Sequence, residues 1–485
     1  MSIGSPSPDR RSPGHGWFAV AGVAVLAFAA VLRLDRLDAA LFWDELWVVE
    51  LMRAGPYVPH FNPMPPLFFW MVKAASALLG FSDVALHVTP FVIGVALVAA
   101  PLALRGLLPG SLERTEAFIW TWLLAFSSPV IYYSARLKQY SLEALASLLL
   151  IGLCLWCVSE IHSKKRMIVF FASASVAMLL LHTPVFLFPG CVAALLLAVW
   201  LAGRMATHFP WALAGRVAAG SVITSLCFVA AYFGYLKPSP EMRYPDPMYE
   251  FWAHLFFDGR WSFVEEWSRI WVGQMLNLVK FFWLAAAIAI AIWIARAVIR
   301  RDVVELAKVV VGSLPVLSLL AASWLRLYPY GEVRLMLFLA PGLYLLVAAS
   351  SMELMRALPR LAFTGLTILL VTFLVQQVVR DPHAQYFGAT DLRPLYDFVG
   401  GSHRSREPIL SAPADAKVLG WYYPRLALLI SVGSPEDATP ERLGDAEGFW
   451  TVARPDAGRP QTDQYTLESQ LDVGSVRASH YRRRK

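Results

Sequence analysis

The sequence has few charged residues for its length. Asp, Glu, Lys and Arg make up only 16% of its 485 residues, whereas apolar residues make up 57% and the mean hydropathy is +0.53. Soluble domains carry about 25% charged residues, so this composition excludes an ordinary soluble protein and indicates a polytopic membrane protein. The sequence has only four cysteines, and all fall inside apolar runs, which favours packing over redox or metal-binding roles.

The sequence also lacks a glycine-rich nucleotide-binding loop and a convincing His/Asp/Glu metal-binding spacing. Its net charge of +7 is carried mostly by short loops between apolar runs and by the tail at residues 481–485. Such a distribution points to anionic lipid head groups. We therefore predict that the basic loops interact with membrane lipids and that the protein does not bind nucleic acid.

Eleven apolar runs are long enough, with their flanks, to cross about 30 Å of hydrocarbon as helices. They cover residues 17–32, 84–104, 117–133, 142–158, 167–181, 184–202, 217–236, 281–295, 309–325, 335–351 and 361–379. The predicted fold is therefore an all-α transmembrane domain over residues 1–379, with a first outer loop at 33–83 and another at 237–274.

Every second loop between the runs is basic, and short basic loops stay in the cytoplasm. This pattern predicts a multi-pass protein of the plasma (inner) membrane, with a cytoplasmic N-terminus and its polar patches outside. The stretch 67–79 is too short to span and contains Lys73, so we expect an interfacial helix there. The first run could imitate a cleavable export signal, but ten more runs follow and favour an uncleaved helix.

Beyond residue 379 the apolar runs stop, and Pro, Asp, Arg and Gly dominate. Residues 408–412 and 449–453 are typical of strands. Residues 415–423 are typical of a helix, with Asp415 as its N-cap. We predict that residues 380–485 form a small α/β domain on the periplasmic or extracellular side.

The first polar patch is a pair of carboxylates, Asp44 and Glu45, set among aromatic residues just after the first apolar run. A charge in such surroundings is costly unless it serves a purpose. One carboxylate could accept a proton from an attacking hydroxyl, and we choose Asp44. The alternative is that both acids only begin the helix at residues 46–52, because Asp is a good N-cap and Glu favours the first turn.

The second patch, residues 132–143, places Arg136, Lys138, Tyr140 and Glu143 in a short outer loop. Cations, hydroxyls and the N-terminus of the next helix together suit recognition of a phosphate. The alternative is an interfacial belt, since Tyr, Lys and Arg are common at span ends. Glu143 begins a span, where an unpaired carboxylate is costly, so we expect it to pair with Lys138 or Arg136.

The third patch, residues 328–334, leads into the tenth run. Arg334 can bind phosphate bidentately, although an arginine at a span end can also simply reach the interface. The predicted donor-phosphate contacts are Arg136, Lys138, Tyr140, Tyr330 and Arg334.

Several of these segments resemble the GT-C glycosyltransferases. Asp44-Glu45, the proline-rich run 63–70, and the run 79–83 followed by Pro90 are similar to the first outer loop of that superfamily. The likeness is nearest to protein O-mannosyltransferases, lipid A aminoarabinose transferases and related uncharacterised bacterial membrane proteins. Residues 134–143 and 328–341 resemble motifs of the uncharacterised branch.

The resemblance implies an inverting transfer of a sugar from a polyprenyl-phosphate donor to a hydroxyl on a glycan, lipid or protein, at the outer membrane face. Asp44 would be the catalytic base, with Glu45 beside it. Met64 stands where the aminoarabinose enzymes have a lysine, so an aminoarabinose donor is not implied. Those enzymes also carry a second acid near the position of Gln139, for which Glu143 can substitute.

His60 and Asn62 lie near the expected outer face and are predicted as supporting residues. We predict no definite cofactor or metal site, and the sequence leaves use of a divalent metal open. The alternative function is a transporter or a polyprenyl-lipid-binding membrane protein without catalysis. Apolar spans that are nearly free of charge, with polar groups at one end, favour the enzyme.

Overall fold

The computed structural model of the protein describes a defined part of the chain. The described residues are 15–34, 37–39, 41, 43–53, 55–57, 64–205, 209–236, 253–276, 280–357, 359, 364, 368, 371, 393–403, 407–426, 429–433, 435–443, 446–454, 463–473 and 476–484. The chain forms two compact units. The first takes its residues from Met1–Asp35, Tyr57–Val72 and Thr89–Arg380, and the second from Arg36–Pro56, Lys73–Val88 and Asp381–Lys485.

Apolar helices make up most of the first unit, because in lipid a helix satisfies all its backbone hydrogen bonds internally. Its helices, two of which also extend into the second unit, are α1 (His15–Leu34), α3 (Pro66–Leu79), α4 (Asp83–Leu107), α5 (Arg114–Phe126), α6 (Ser128–Ser134), α7 (Tyr140–Ser159), α8 (Lys164–Leu180), α9 (Pro184–Met205), α10 (Trp211–Ala231), α11 (Trp261–Leu276), α12 (Lys280–Arg300), α13 (Val303–Trp324), α14 (Val333–Met336) and α15 (Ala340–Ala357). Between α1 and α3 lies α2 (Trp43–Arg53), which belongs to the second unit.

Within the described residues, six segments are long and apolar enough to cross a membrane. They are Asp83–Leu107, Tyr140–Ser159, Pro184–Arg204, Trp211–Tyr235, Val303–Trp324 and Val333–Ala357. The expected run at 361–379 falls almost entirely outside the residues that the structure describes. The protein is thus a mostly helical multi-pass membrane protein with a small C-terminal sheet domain, as its sequence predicts.

The prediction of one continuous span over residues 117–133 is wrong. The helix breaks at Ser127, which has extended backbone angles, and the chain restarts as α6 with Pro129 in its first turn. Proline is tolerated in a first turn but not in a helix interior, which explains the restart. The Tyr344 hydroxyl donates to the Ser127 hydroxyl at 2.6 Å and so binds α15 to this break.

Arg33 supports the same break from α1. Its guanidinium is fully buried and donates to the backbone oxygens of Leu124 and Ala125, both at 3.2 Å, and to the Ser134 hydroxyl at 3.2 Å. The last carbonyls of a helix have no partner within that helix, so Arg33 satisfies them at the end of α5. Its position beyond the apolar run 17–32 gave no sign of this role.

The second unit contains a five-stranded mixed sheet. Its remaining helices are α16 (Arg393–Ser402), α17 (Pro413–Tyr422) and α18 (Pro440–Leu443), and its strands are β1 (Ile409–Ser411), β2 (Ile430–Val432), β3 (Gly448–Ala453), β4 (Tyr465–Val473) and β5 (Val476–Arg483). The strand order is β2-β1-β3-β5-β4, with β1 parallel to both neighbours and β5 antiparallel to both.

One expectation for this unit needs correction. Asp415 is not an N-cap, because α17 already begins at Pro413 after Ala412. Instead Asp415 accepts a hydrogen bond from Tyr396 at 3.0 Å, and burial raises the pKa of its carboxyl. Residues 481–483 of the basic tail belong to β5, where Arg482 pairs with Glu468 at 3.0 Å.

Candidate functional site

The carboxylates of the first patch lie in the first turn of α2. Acidic residues there interact favourably with the positive end of the helix dipole. Asp44 is partly exposed, whereas Glu45 is only 1% exposed. The two neighbours therefore occupy different environments, and Asp44 is the one that solvent can reach.

Glu45 is buried against a histidine that the sequence reasoning missed. Its Oε1 lies 3.7 Å from Nε2 of His87, which is itself fully buried. The other ring nitrogen, Nδ1, donates to the Leu37 carbonyl at 3.3 Å and so carries a proton. A single histidine inside the apolar start of α4 was the only signal for this contact.

Contacts within the second unit fix α2 against α17. Lys417 pairs with Glu50 at 2.7 Å and also lies 5.0 Å from the Trp47 ring. The guanidinium of Arg53 lies 4.2 Å from the centre of the Trp421 ring. These contacts hold the helix that carries Asp44, and an oriented side chain is what a catalytic base needs.

The segment just before α2 is anchored as well. Asp83, part of the run that resembles the GT-C loop, accepts hydrogen bonds from Arg393 at 3.0 Å and from the Tyr422 hydroxyl at 2.9 Å. The same Tyr422 oxygen accepts the Leu41 backbone N–H at 2.9 Å. Asp83 thus fixes the entry to α2 from within the second unit.

The second polar patch forms a line of aromatic rings in the first unit. The guanidinium of Arg136 lies 4.9 Å from the centre of the Tyr132 ring. Tyr132 packs against Tyr133 at 4.9 Å, and Tyr133 packs against Tyr140 at 5.1 Å. Lys138 is half-buried, and its backbone N–H donates to the Arg136 carbonyl at 2.7 Å.

The third patch meets this line of rings. Arg334 lies close enough to the hydroxyls of Tyr133 and Tyr328 to interact with both electrostatically, and Tyr140 is near the same two groups. Glu332 lies 3.6 Å from Arg334. Burial raises the pKa of the Glu332 carboxyl, while Arg334 opposes that rise. The fold therefore brings the second and third patches together in one unit.

Glu143 does not form the expected ion pair with Lys138 or Arg136. It is 4% exposed, and its carboxylate faces the His182 backbone N–H and the Thr183 hydroxyl. Burial lowers the pKa of His182 to about 4, so this imidazole is neutral at physiological pH. Among the described residues, Glu143 Oε1, Ser141 Oγ and His182 Nε2 have no hydrogen-bond partner. Buried polar atoms of this kind are ready to bind a polar group.

Tyr330, a predicted phosphate contact, is engaged elsewhere. Its hydroxyl lies 2.6 Å from the Ser268 hydroxyl, and its backbone N–H donates to the Leu255 carbonyl at 2.8 Å. Its side chain is fully buried, so the structure gives it a part in holding α11. His60 and Asn62 lie outside the described residues. The described parts of the chain contain no group of three His, Cys, Asp or Glu that could hold a metal ion.

Comparison with known proteins gives structural likenesses only. No family model matches the sequence, and no curated protein matches it. ArnT from Cupriavidus metallidurans, an aminoarabinose transferase, matches over 97% of this chain and 98% of its own at 13% identity. The TM-score is 0.58 for its apo form and 0.56 for its form bound to undecaprenyl phosphate.

The oligosaccharyltransferase of Archaeoglobus fulgidus, solved in complex with Zn and sulfate, matches 89% of this chain and 67% of its own at 11% identity. Its TM-score of 0.46 is too low to support an argument. At such identities a likeness shows the fold, and the ArnT structures show it over nearly the whole of both chains.

Proposed function

We propose that this chain, which has the GT-C fold, is a membrane glycosyltransferase. It would move a sugar from a polyprenyl-phosphate donor to an acceptor hydroxyl at the outer face of the plasma membrane, with inversion at the anomeric carbon. The acceptor class is a hydroxyl of a glycan, a lipid or a protein. The chemistry needs two things from the protein: a site for a phosphate that leaves as an anion, and a base for the acceptor's proton.

The main support for this proposal is that the second and third patches lie close together in the first unit. Arg334 and the ring line beginning at Arg136 place two guanidinium groups and several phenol hydroxyls in one unit. Each charge-assisted contact with a leaving phosphate contributes roughly 1.5 to 3 kcal/mol. Arg136, Lys138, Tyr140 and Arg334 are the proposed phosphate contacts, whereas Tyr330 would act through its packing.

The donor class is proposed from the fold and from the buried polar atoms near the second patch. One ArnT structure holds undecaprenyl phosphate, and we propose a polyprenyl-phosphate sugar for this chain on that likeness. The buried polar atoms of Ser141, Glu143 and His182 have the donors and acceptors that a sugar needs. Glu143 would then be a supporting residue that binds the donor rather than an ion-pair partner.

Asp44 is the proposed general base. The acceptor oxygen attacks the anomeric carbon, the bond from that carbon to the phosphate oxygen breaks, and polyprenyl phosphate leaves with the bonding electrons. The acceptor's proton passes to Asp44, a step that contributes about 10² to 10⁴ in rate. Glu45, held against His87, would keep the first turn of α2 in place.

A transfer assay on the purified full-length protein tests the proposal. The protein is incubated with a panel of polyprenyl-phosphate hexoses and pentoses and with membrane extract as acceptor, and free polyprenyl phosphate is measured by mass spectrometry. We expect release from at least one donor, and a product whose anomeric configuration is opposite to that of the donor. Binding of these lipids without any release would instead support a polyprenyl-lipid-binding protein without catalysis.

A further inference from the structure

A second cluster of charge lies in the first unit, where α12 and α15 end. The Glu353 side chain is only 6% exposed, and its carboxylate forms ion pairs with three arginines. Arg296 lies 3.0 Å from it, Arg300 lies 3.1 Å from it and Arg356 lies 3.1 Å from it. Arg356 also pairs with Glu113. Three cations therefore surround one buried carboxylate, and a second carboxylate offsets only part of the remaining charge.

Two of these arginines keep spare donors. A guanidinium has five N–H groups, and both Arg296 and Arg300 contact Glu353 through Nη1 alone. They have no other polar partner within the parts of the chain that the structure describes. Their side chains are 38% and 59% exposed. A fork of free guanidinium donors suits bidentate binding of a phosphate.

A cavity opens beside this cluster. Its volume is about 230 Å³, several times the ~30 Å³ that one water molecule occupies in the liquid. Arg296 and Glu353 form its polar end, and the rest of its wall is apolar, from Ala289, Ile292, Leu354 and Ala357. Ile292 is 41% exposed, as expected for a side chain that faces lipid. A ligand here would meet the Arg296–Glu353 ion pair at one end, with Arg300 on the same carboxylate, and hydrocarbon at the other.

We propose that this cavity binds the head group of an anionic phospholipid. Its phosphate would lie on Arg296 and Arg300, and an acyl chain would follow the apolar wall past Ile292. The positive-inside pattern assigns these arginines to cytoplasmic loops, and the cytoplasmic leaflet is the one rich in anionic lipids. Basic pockets between membrane helices on that side are suited to such head groups.

This site is separate from the proposed donor site. Arg334 and Arg356 lie at opposite ends of one candidate span, Val333–Ala357. At 1.5 Å per helical residue the two arginines are roughly 30 Å apart along it. The phospholipid would therefore act as a bound structural lipid, and its binding does not depend on the transfer reaction.

Native mass spectrometry of the full-length protein tests this proposal. The protein is released from mixed micelles that contain phosphatidylglycerol and phosphatidylcholine, and bound lipids are counted. We expect the wild type to bind phosphatidylglycerol at least tenfold more tightly than phosphatidylcholine, a preference that the double variant R296Q/R300Q loses. Arg300→Gln alone should lose part of it while leaving Glu353 paired with two arginines.

Two matched variants keep the test sharp. Arg204→Gln removes an arginine from another predicted cytoplasmic loop, where it lies over the Trp200 ring, and should leave the preference unchanged. Ala357→Phe fills the cavity without altering its charge and should abolish the preference. An unchanged preference in R296Q/R300Q and in Ala357→Phe overturns the proposal. A loss in Arg204→Gln equal to that in R296Q/R300Q overturns it as well. Full competition by inorganic phosphate also overturns it, because the site would then recognise the free ion.

Discussion

Asp44 and Glu45 show how one residue step on a helix separates two carboxylates. Successive helical residues point about 100° apart, because a turn takes 3.6 residues. Glu45 therefore faces buried His87, while Asp44 stays partly exposed. The sequence predicted the pair but could not rank its members by environment, since the ranking depends on a histidine about forty residues away in the chain.

Arg334 carries the prediction for donor binding. Arg334→Ala should weaken binding of polyprenyl phosphate by roughly tenfold to a hundredfold, because a charge-assisted contact of about 1.5 to 3 kcal/mol is lost. Binding is measured by titration of the purified protein in detergent. Arg326→Ala is the control, since Arg326 lies over the Phe256 ring in the same loop and has no proposed phosphate. Equal affinity in wild type and Arg334→Ala would remove this residue from the site.

His182 carries a prediction for stability against pH. Burial lowers its folded-state pKa to about 4, below the ordinary value of about 6.5, so the unfolded chain takes up the proton first. Stability is complete above about pH 6.5 and falls as the pH drops towards 4. Between pH 7 and pH 5 this histidine should remove about 2 kcal/mol from the free energy of unfolding.

Chemical denaturation of wild type and His182→Gln at pH 7 and at pH 5 measures the contribution of His182 to the free energy of unfolding. The variant should lose less stability on acidification than the wild type does. His162→Gln, at an exposed histidine in the loop between α7 and α8, should behave like the wild type. A wild-type slope in His182→Gln would show that this imidazole is not held neutral by the fold.

At the scale of elements, hydrophobic runs located most of the apolar helices because a span needs about twenty apolar residues whatever it packs against. They did not predict the break between α5 and α6, which depends on Arg33 and Tyr344 from other helices. They also did not predict β4 and β5, whose exposed faces carry mostly polar residues. Whether such polar segments form strands depends on pairing with a partner strand, and the sequence alone does not show which segment is the partner.

Close packing between α13 and α15 gives a prediction at this scale. A Cβ on Gly312 would lie 2.7 Å from Leu346 and 3.1 Å from the Gly342 carbonyl oxygen. Gly312→Ala should therefore destabilise the protein by about 1 to 3 kcal/mol through overpacking. Gly215→Ala in α10 meets no atom within 4 Å and should be neutral or slightly stabilising. Thermal unfolding in detergent compares the two, and equal melting temperatures would contradict the close approach.

At the scale of the whole molecule, the alternation of basic loops predicts which ends of the helices face the cytoplasm. Trp261 is 75% exposed and lies in the predicted outer loop 237–274, so Trp261→Cys should react with an impermeant thiol reagent in intact cells. Lys165→Cys lies in a predicted cytoplasmic loop and should react only after lysis. The reverse pattern would place the polar patches on the cytoplasmic side.

The proposed mechanism depends on Asp44 as the group that takes the proton of the acceptor hydroxyl. Sugar transfer by Asp44→Asn, measured in parallel with polyprenyl-phosphate binding, tests it most directly. We expect turnover to fall by about 10² to 10⁴ with lipid binding retained. Glu436→Gln, which changes an exposed acid that the proposal does not use, should keep wild-type turnover. Undiminished transfer by a folded Asp44→Asn protein would contradict the proposed mechanism.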